Sequence, residues 1–363
     1  MSAADVAIIG GGIVGCSAAA FLAEAGAKVE VYERDEVGAA ASGRNSGSVQ
    51  HPFDPVMAEL HRETLEHYRG LADLRFPERP AGVLMLASDR RPLEPAVAEL
   101  RRDCPELEPE LLEPAALRRL EPGVADGLWA CRLETGYPVH PMAATRAFAR
   151  RGFAAGARFH EGETAWPWVT GGRARGVLAA GVRRPAGAVL VAAGPWTPEV
   201  IDTTRTWQPI VAVWGVVADV EMDDPPRHVL EEVGVEELAG GDEGGRPSSI
   251  FSLVAADGQI SVGSTFLTEA PEPAAWAGRL RRAGERFVPG LARAKVVGAR
   301  ACPRPQALDG RPLVGELPGH EGLWAVAGHG PWGISTGPAS ARIAADALLG
   351  GGEISPALSV ARF

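Results

Sequence analysis

The chain opens with an apolar strand, a glycine-rich turn, a helix and a second strand that ends in an acid. Residues 6–9 read Val-Ala-Ile-Ile, the turn follows as Gly10-Gly11-Gly12-Ile13-Val14-Gly15, and residues 16–25 and 29–33 follow as helix and strand. The glycines of this G-x-G-x-x-G pattern permit a tight turn, close approach of the backbone to a pyrophosphate, and close packing of helix on strand. In its full strand–turn–helix–strand context, the pattern predicts a dinucleotide-binding βαβ unit.

Two further features of this unit favour a bound dinucleotide. The start of the helix presents unpaired N–H groups and the positive end of its dipole to phosphates. Glu33 ends the second strand, where a carboxylate would accept hydrogen bonds from a ribose. The residues of this unit that we predict to contact the cofactor are Gly10, Gly12, Ile13, Val14, Gly15, Glu33 and Arg34.

The composition is that of an ordinary globular protein. With 363 residues, 46% of them hydrophobic, about two domains are expected. A formal net charge of −10 argues against a nucleic-acid-binding surface, and the four cysteines have no metal-ligand spacing, so no metal site is predicted. No apolar run reaches the ~18–20 residues of a membrane span, and the first strand begins too early for a signal peptide. We therefore expect no transmembrane segment and a cytoplasmic location.

Hydrophobic periodicity predicts the other elements. Helical spacing of apolar residues predicts helices over residues 56–76, 93–103, 114–120, 142–155, 274–287 and 338–349. Apolar runs predict buried strands over residues 83–87, 189–194 and 323–327. The Val/Ile-rich alternation between residues 209 and 266 predicts antiparallel strands, and the Gly/Pro-rich stretch 234–248 predicts a surface loop.

Four blocks spread over the chain resemble one known family. They are the βαβ unit, the loop 41–47 (Ala-Ser-Gly-Arg-Asn-Ser-Gly), the strand end 191–196 (Val-Ala-Ala-Gly-Pro-Trp), and a block made of residues 304–312 and 327–334. The last block resembles the sequences "R-P-x-T-x-D-G-x-P" and "A-G-H-x-x-x-G" and is the most discriminating. Together they resemble the D-amino-acid oxidase superfamily of FAD-dependent oxidoreductases, which holds glycine oxidase, sarcosine oxidase and D-amino-acid dehydrogenases.

The resemblance implies an α/β (α+β) fold in which a Rossmann-like FAD-binding domain is interleaved with a substrate domain on a mostly antiparallel β-sheet. The FAD-binding domain would comprise residues 1–80, 137–205 and 300–363, and the substrate domain residues 81–136 and 206–299. The resemblance also implies cofactor-binding residues beyond the βαβ unit, namely Ser42, Gly43, Arg44, Asn45, Ser46, Gly47, Ala165, Ala193, Gly194, Trp196, Arg304, Gly328, Gly330, Trp332, Gly333 and Ile334.

Candidate catalytic residues follow from the same resemblance. Arg304 stands at the position of the family's carboxylate-binding arginine, whose planar fork binds both oxygens; the structural alternative is an ion pair with Asp309. His329 would stabilise the negative charge of reduced flavin, and His51 would line the pocket. For His329, a purely structural role is the alternative. The residues implied to contact the substrate are Arg304, Phe251 and Trp332.

Two departures from the family pattern predict a pocket that is more aromatic and less polar than usual. Phe251 stands where family members often carry a substrate-binding tyrosine. Trp214 stands before Gly215, where the family often has an arginine.

The mode of flavin attachment and the electron acceptor stay open. Cys302 has a spacing from Asp309 at which sarcosine oxidases bond FAD covalently, whereas Arg304 belongs to the pattern of the non-covalent members. Non-covalent FAD is therefore favoured, with a link through Cys302 as the alternative. The only lysines, Lys28 and Lys295, lie outside any strand that we would place over the flavin. The acceptor is O2 or another carrier, with a slight preference for another carrier.

The resemblance predicts an enzyme that oxidises the C–N bond of an amino acid or secondary amine, such as a D-amino acid, glycine or an N-methyl amine. A hydride would pass to flavin N5, and the resulting imine would hydrolyse to an oxo acid. One alternative is an FAD-dependent 2-hydroxy-acid dehydrogenase, since such enzymes share a loop similar to residues 43–49. Another is the flavoprotein subunit of a hetero-oligomeric dehydrogenase. The oligomeric state stays open.

Overall fold

The computed structural model describes residues 3–234 and 249–363. The loop predicted over residues 234–248 lies outside the described residues except for its first residue. The helices are α1 (Ile13–Glu24), α2 (Ala41–Arg44), α3 (Pro55–Arg69), α4 (Leu93–Asp103), α5 (Pro114–Leu120), α6 (Ala143–Ala154), α7 (Thr197–Ile201), α8 (Pro273–Gly284) and α9 (Gly333–Leu348). Within the described ranges, none of these helices is long and apolar enough to span a membrane.

The strands of the described residues form two large sheets and one small one. They are β1 (Ala4–Ile9), β2 (Val29–Glu33), β3 (Ser48–Val49), β4 (Val83–Ala87), β5 (Glu110–Leu112), β6 (Trp129–Leu133), β7 (Tyr137–Pro138), β8 (Arg158–Glu161), β9 (Ala165–Thr170), β10 (Arg173–Ala179), β11 (Val182–Val191), β12 (Ile210–Glu221), β13 (Val229–Glu232), β14 (Ser249–Ala256), β15 (Gln259–Thr265), β16 (Lys295–Ala307), β17 (Leu313–Glu316) and β18 (Leu323–Ala327).

The first large sheet is the nucleotide-binding type that the opening motif predicts. Its strand order is β17-β18-β11-β1-β2-β8, and every neighbouring pair from β18 to β8 is parallel. Helices α1, α3, α6 and α9 pack together in one hydrophobic cluster on it. The apolar run of β1 and β11 is buried on both faces, as a central parallel strand requires.

The second large sheet is mostly antiparallel, with the order β16-β12-β15-β14-β13-β4-β6-β5. Helix α8 packs on β12, β14, β15 and β16 and closes one face over a hydrophobic cluster that includes Phe251, Leu280 and Phe287. The predicted mixed fold with a mostly antiparallel second sheet is confirmed. The division of the chain at residues 80, 136, 205 and 299 stays a prediction.

Two helices differ from the sequence prediction by five residues or more. Helix α3 ends at Arg69, because Gly70 and the turns after it leave the helical path. Helix α9 begins at Gly333, five residues before the predicted start at Pro338, a residue that cannot donate a backbone hydrogen bond. The carbonyl of Ile334, one turn earlier, instead accepts a 2.5 Å hydrogen bond from the Tyr68 hydroxyl. This contact from α3 satisfies the carbonyl and lets the helix start at the cavity described next.

Candidate active site

A cavity of about 390 Å³ is lined by residues of both large sheets. One side of it consists of the ends of β1, β2, β11 and β18 with the turns that follow them, and the other consists of side chains from β12, β13, β14, β15 and β16. The carboxyl ends of parallel strands are where open α/β sheets bind ligands. A cofactor is therefore expected to bind at this edge of the nucleotide-binding sheet.

The glycine turn after β1 is shaped by steric necessity. Gly10 has φ +113°, and a Cβ there would overlap the carbonyl oxygen of Ala192. A Cβ on Gly15 would overlap the carbonyl oxygen of Gly10, so only glycine lets α1 start this close to the turn. A Cβ on Gly12 would lie 3.0 Å from the Ser42 hydroxyl oxygen. The turn therefore presents bare backbone to the cavity.

Two side chains hold this turn in place. Glu33 Oε2 accepts a 2.7 Å hydrogen bond from the Gly11 N–H, and its Oε1 accepts a 2.9 Å bond from the Asp35 N–H. The Ser42 hydroxyl accepts a 2.9 Å bond from the Ile13 N–H at the start of α1. Both side chains also line the cavity. The acid at the end of β2 thus fixes the turn and lines the part of the cavity where a nucleotide would bind.

Most of the predicted cofactor-binding residues come together around this cavity. Those that line it are Gly10, Gly12, Ile13, Val14, Glu33, Arg34, Ser42, Asn45, Ser46, Ala165, Ala193, Gly194, Trp196, Arg304, Gly330, Trp332, Gly333 and Ile334. Those that do not line it are Gly15, Gly43, Arg44, Gly47 and Gly328. The four glycines in the second group stand where a Cβ would overlap or crowd neighbouring atoms, so they permit close packing, and Arg44 is exposed.

Arg304 reaches into the cavity from β16. Its Nη1 donates a 2.8 Å hydrogen bond to the Thr265 carbonyl, and its Nη2 donates a 2.5 Å bond to the Ser264 hydroxyl. A Cβ on Gly215 would overlap the guanidinium, which shows that the side chain crosses β12 at that residue. The guanidinium also stacks over the Phe266 ring at 4.5 Å.

Arg304 is not engaged in the structural ion pair that we considered as an alternative. Asp309 pairs with Arg362 at 2.6 Å, and no carboxylate in the described part of the chain pairs with Arg304. Desolvation lowers the pKa of Arg304, yet an arginine in a protein keeps its charge. The cavity therefore holds a fixed positive charge.

His329 lies in the turn between β18 and α9 and lines the cavity. It is 2% exposed, and burial lowers its pKa from 6.5 to about 4, so the ring is neutral near pH 7. Its Nε2 has no hydrogen-bond partner among the residues that the structure describes. A buried polar atom of this kind fits a partner on a bound ligand.

The prediction that Phe251 contacts the substrate is wrong. Phe251 stacks on Phe287 at 4.8 Å on the α8 side of the sheet, whereas its neighbours Ile250 and Ser252 line the cavity. Side chains alternate between the two faces of a strand. An error of one residue in aligning β14 with the family pattern therefore assigns a core side chain to the cavity. Trp214 does not line the cavity either. The aromatic, less polar pocket expected from these two residues is therefore not present on this wall.

The prediction that His51 lines the pocket is also wrong. The ring is buried outside the cavity, and its Nδ1 accepts a 3.1 Å hydrogen bond from the Phe53 N–H. The neutral ring therefore carries its proton on Nε2, which lies 3.5 Å from Glu106 Oε1 but forms no hydrogen bond within the described residues. Cys104 lies close to both groups, but a protonated Nε2 cannot ligate a metal ion. These contacts indicate a structural role for His51 outside the cavity.

The polar residues of the cavity lining that sequence reasoning missed include Gln50, Glu231, Ser252 and Ser264. The Gln50 amide donates to Glu231 at 3.1 and 3.3 Å, which joins the loop before α3 to the second sheet. Ser252 is the one polar residue in the run of residues 250–254. Because neighbouring side chains on a strand point to opposite faces, this pattern predicts that Ser252 and Phe251 lie on different faces of the sheet. No comparable pattern distinguishes Glu231 from the adjacent Glu232.

Cys302 lines the cavity, but its thiol is buried, and its Sγ lies 3.7 Å from the Ala41 carbonyl oxygen. Burial raises its pKa, although the nearby Arg304 and Arg300 oppose the shift. A thiol that stays protonated is a weak nucleophile, which favours a non-covalent flavin.

The residues present fit FAD. The Gly10 and Gly12 backbone forms a cradle that a Cβ would fill, beside the start of α1, and suits a pyrophosphate. Glu33, Thr164 and Ala165 line the end of the cavity expected for the adenosine half. His329, whose Nε2 has no hydrogen-bond partner among the described residues, lines the same cavity, and the family resemblance implies that it would lie near the flavin.

Comparisons with known proteins agree with this site. The profile of the family described as FAD dependent oxidoreductase (DAO) matches residues 5–347. Glycine oxidase of Pseudomonas aeruginosa is 27% identical over an alignment of 365 residues, gaps included. The alignment covers 95% of this chain and 94% of the relative.

Solved structures share the same fold. Iminodiacetate oxidase from Chelativorans sp. BNC1 is 25% identical, with a TM-score of 0.81 and 98% of each chain covered. Glycine oxidase from Bacillus cereus ATCC 14579 has a TM-score of 0.83 at 24% identity, with 97% of this chain and 99% of that chain covered. With the family profile, the glycine cradle and the cavity in agreement, this chain belongs to the DAO family of FAD-dependent oxidoreductases.

Proposed function

We propose that this enzyme oxidises the C–N bond of an amino acid, with glycine, a D-amino acid or an N-methyl amino acid as the substrate. The observation that carries the proposal is the charged Arg304 in the cavity, without a carboxylate partner in residues 3–234 and 249–363. The planar guanidinium fork is suited to both oxygens of a substrate carboxylate. FAD, when bound, supplies a two-electron oxidant that takes a hydride at N5.

The protein's own groups would prepare the substrate for this step. Ser264 and Thr265 orient the guanidinium, Gly215 leaves room for it, and Phe266 covers its face. A carboxylate bound there fixes the substrate, and the apolar side chains of Val217 and Ile250 keep water away. The hydride leaves the carbon that bears the neutral amine, and the resulting imine hydrolyses to an oxo acid.

His329 is proposed to act on the cofactor and not on the substrate. Its neutral ring keeps one N–H, and this group is proposed to donate a hydrogen bond toward the negative charge that develops when the flavin is reduced. Burial disfavours a second proton, so the interaction is a hydrogen bond and not an ion pair.

An anaerobic reduction screen tests the proposed function. The purified holoenzyme is mixed with glycine, sarcosine, D- and L-amino acids or 2-hydroxy acids while the flavin band near ~450 nm is followed. We expect bleaching by one amino-acid class and weak or no bleaching by the same compound in Arg304→Gln. Bleaching by 2-hydroxy acids alone would replace the proposal with the hydroxy-acid alternative. Activity that appears only with a co-purifying partner would favour the subunit alternative.

Three narrower expectations stay predictions. FAD is expected to leave the polypeptide on acid denaturation, since the Cys302 thiol is buried and protonated. Readmitting air after anaerobic reduction separates O2 from another carrier as the electron acceptor. The cytoplasmic location stays an expectation that fractionation of the native host would test.

A further inference from the structure

A second arginine of β16, Arg300, crosses the antiparallel sheet in the same way as Arg304. The two lie on the same face of the strand, because side chains alternate between its faces. The Arg300 side chain is 13% exposed and pairs with Asp219 on β12. Its Nη2 donates a 2.7 Å hydrogen bond to the Ser261 hydroxyl on β15. Unlike Arg304, Arg300 does not line the cavity.

The Arg300 guanidinium also holds a backbone group of the nucleotide-binding side. The same Nη2 donates a 2.9 Å hydrogen bond to the Asn45 carbonyl, in the loop of residues 41–47. Ser42, Asn45 and Ser46 of this loop line the cavity. One guanidinium therefore joins a loop that faces the cofactor site to two strands of the antiparallel sheet.

Hydrogen bonds within the loop extend this contact to the glycine turn. Asn45 Nδ2 donates a 2.8 Å bond to the Ser42 carbonyl, and Asn45 Oδ1 accepts a 2.8 Å bond from the Gly47 N–H. The Ser42 hydroxyl in turn accepts the bond from the Ile13 N–H at the start of α1. A continuous series of contacts thus runs from Arg300 to the turn that suits a pyrophosphate.

Strand β16 fixes the distance between this loop and the carboxylate site. Arg300 and Arg304 are about 14 Å apart along the strand, at ~3.4 Å per residue. β16 pairs with β12 along its whole length, so this separation is rigid. Hydride transfer depends on such a separation, because a displacement of about 1 Å can lower the rate by about a hundredfold.

We propose that Arg300 is a positioning residue that holds the loop of residues 41–47, and the cofactor bound against it, at a fixed distance from the carboxylate site at Arg304. The inference rests on the proposed function for the assignment of that carboxylate site. Although Arg300 belongs to the antiparallel sheet, its loss should affect the cofactor side, because its contact is with the loop. Substrate affinity should depend on Arg304 instead.

Arg300→Met tests the inference, because it keeps an aliphatic stem and removes every hydrogen-bond donor. Titration of the apoprotein with FAD gives the Kd of the cofactor. We expect this Kd to rise about tenfold, as the loss of a hydrogen bond from a charged donor does.

Stopped-flow reduction of the holoenzyme separates substrate affinity from hydride transfer. The amino acid that bleaches the flavin in the reduction screen is mixed with the enzyme at increasing concentrations without air. The limiting rate of reduction should fall about tenfold to a hundredfold in Arg300→Met. The Kd of the substrate should change less than about twofold, because Arg304 is distant and keeps its own bonds to Ser264 and Thr265.

Arg281→Met is the matched control. Arg281 on α8 is 17% exposed, donates a hydrogen bond to the Leu291 carbonyl and pairs with Glu285 at 2.9 Å. It therefore makes the same kinds of contact as Arg300, but none of these three residues lines the cavity. This variant should lower the unfolding temperature and leave both the Kd of FAD and the rate of reduction unchanged. Equal losses of FAD affinity in the two variants would overturn the inference.

A double variant separates positioning from charge neutralisation. Arg300→Met leaves the Asp219 carboxylate without its ion pair, which lowers stability by itself. Asp219→Asn in the same chain removes that charge and keeps the test decisive if the single variant does not fold. The double variant should regain stability but keep the weaker FAD binding and the slower reduction. Return of both to wild-type values would show that Arg300 only neutralises Asp219.

The failure of this inference is distinguishable from the failure of the proposed function. An unchanged Kd of FAD and an unchanged limiting rate in folded Arg300→Met would overturn the inference alone. Failure of every amino acid to bleach the wild-type flavin would instead overturn the proposed function. The Kd of FAD would still report whether Arg300 holds the loop.

Discussion

The two large sheets build their sides of the cavity in different ways. The nucleotide-binding sheet uses backbone: Gly10 and Gly12 present bare main chain, and Glu33 and Ser42 hold the turn through main-chain N–H groups. The antiparallel sheet uses side chains, among them Arg304, Glu231 and the hydroxyl groups of Ser252 and Ser264. The nucleotide-binding side therefore requires residues without a side chain at the turn. The antiparallel side requires each polar residue to lie on the strand face that lines the cavity.

This difference explains how each side tolerates change. A backbone cradle fails when any side chain is added, because main-chain atoms cannot move aside. A side-chain wall accepts substitutions that keep the strand intact and alters only what it binds. The nucleotide-binding side should therefore respond to mutation in stability and cofactor content, and the antiparallel side in substrate selectivity.

The largest expected effect comes from filling the cradle. Gly10→Ala should abolish FAD retention and leave little folded protein, because its Cβ overlaps the Ala192 carbonyl oxygen at φ +113°. Gly26→Ala is the matched control, since Gly26 has φ +91° but no neighbour within 4 Å. That control should lose only about 1 kcal/mol, from backbone conformation alone. Thermal unfolding and flavin content measure both; equal losses in the two variants would contradict the steric argument.

Adjacent residues on β14 offer the sharpest contrast on the antiparallel side. Phe251→Ala should cost about 3–5 kcal/mol of unfolding free energy and leave KM unchanged, because the ring packs in the core beneath α8. Ser252→Ala should change KM severalfold with little loss of stability, because the hydroxyl faces the cavity. Denaturant unfolding and steady-state kinetics separate the two effects. The reverse pattern would restore Phe251 as the substrate-facing residue.

The positive charge on this wall can be removed or merely displaced. Arg304→Gln should lower kcat/KM by about 30-fold to several thousandfold, which corresponds to roughly 2–5 kcal/mol for a lost carboxylate partner. Gly215→Ala keeps the charge but should produce a similar loss, because the new Cβ would overlap the guanidinium. Kinetics with the best substrate from the reduction screen measure both. Full activity of Gly215→Ala would show that the arginine acts from another position.

The same contrast shows what the sequence can predict. The glycine turn, the acid at Glu33 and the mixed fold follow from sequence because sterics admit few alternatives at Gly10 and Gly15. Arg304 was found only through its resemblance to a family motif. Phe251 was assigned to the wrong face by one residue, and Glu231 was missed, because strand register and partners such as Gln50 are set by tertiary contacts.

His329 is a buried, titratable side chain that lines the cavity on the nucleotide-binding side. Its pKa is about 4 in the folded protein, below the ordinary 6.5, because burial disfavours the charged ring. The unfolded chain therefore binds the extra proton first, so the stability due to this residue is full above pH 6.5 and is lost as the pH falls toward 4. The loss at the acid end amounts to about 3 kcal/mol. His329→Gln should flatten this part of the stability–pH profile, while the exposed His320→Gln should leave it unchanged. Parallel profiles for wild type and His329→Gln would place the acid sensitivity in other groups, of which the buried His61, with a pKa of about 4, is the next to test.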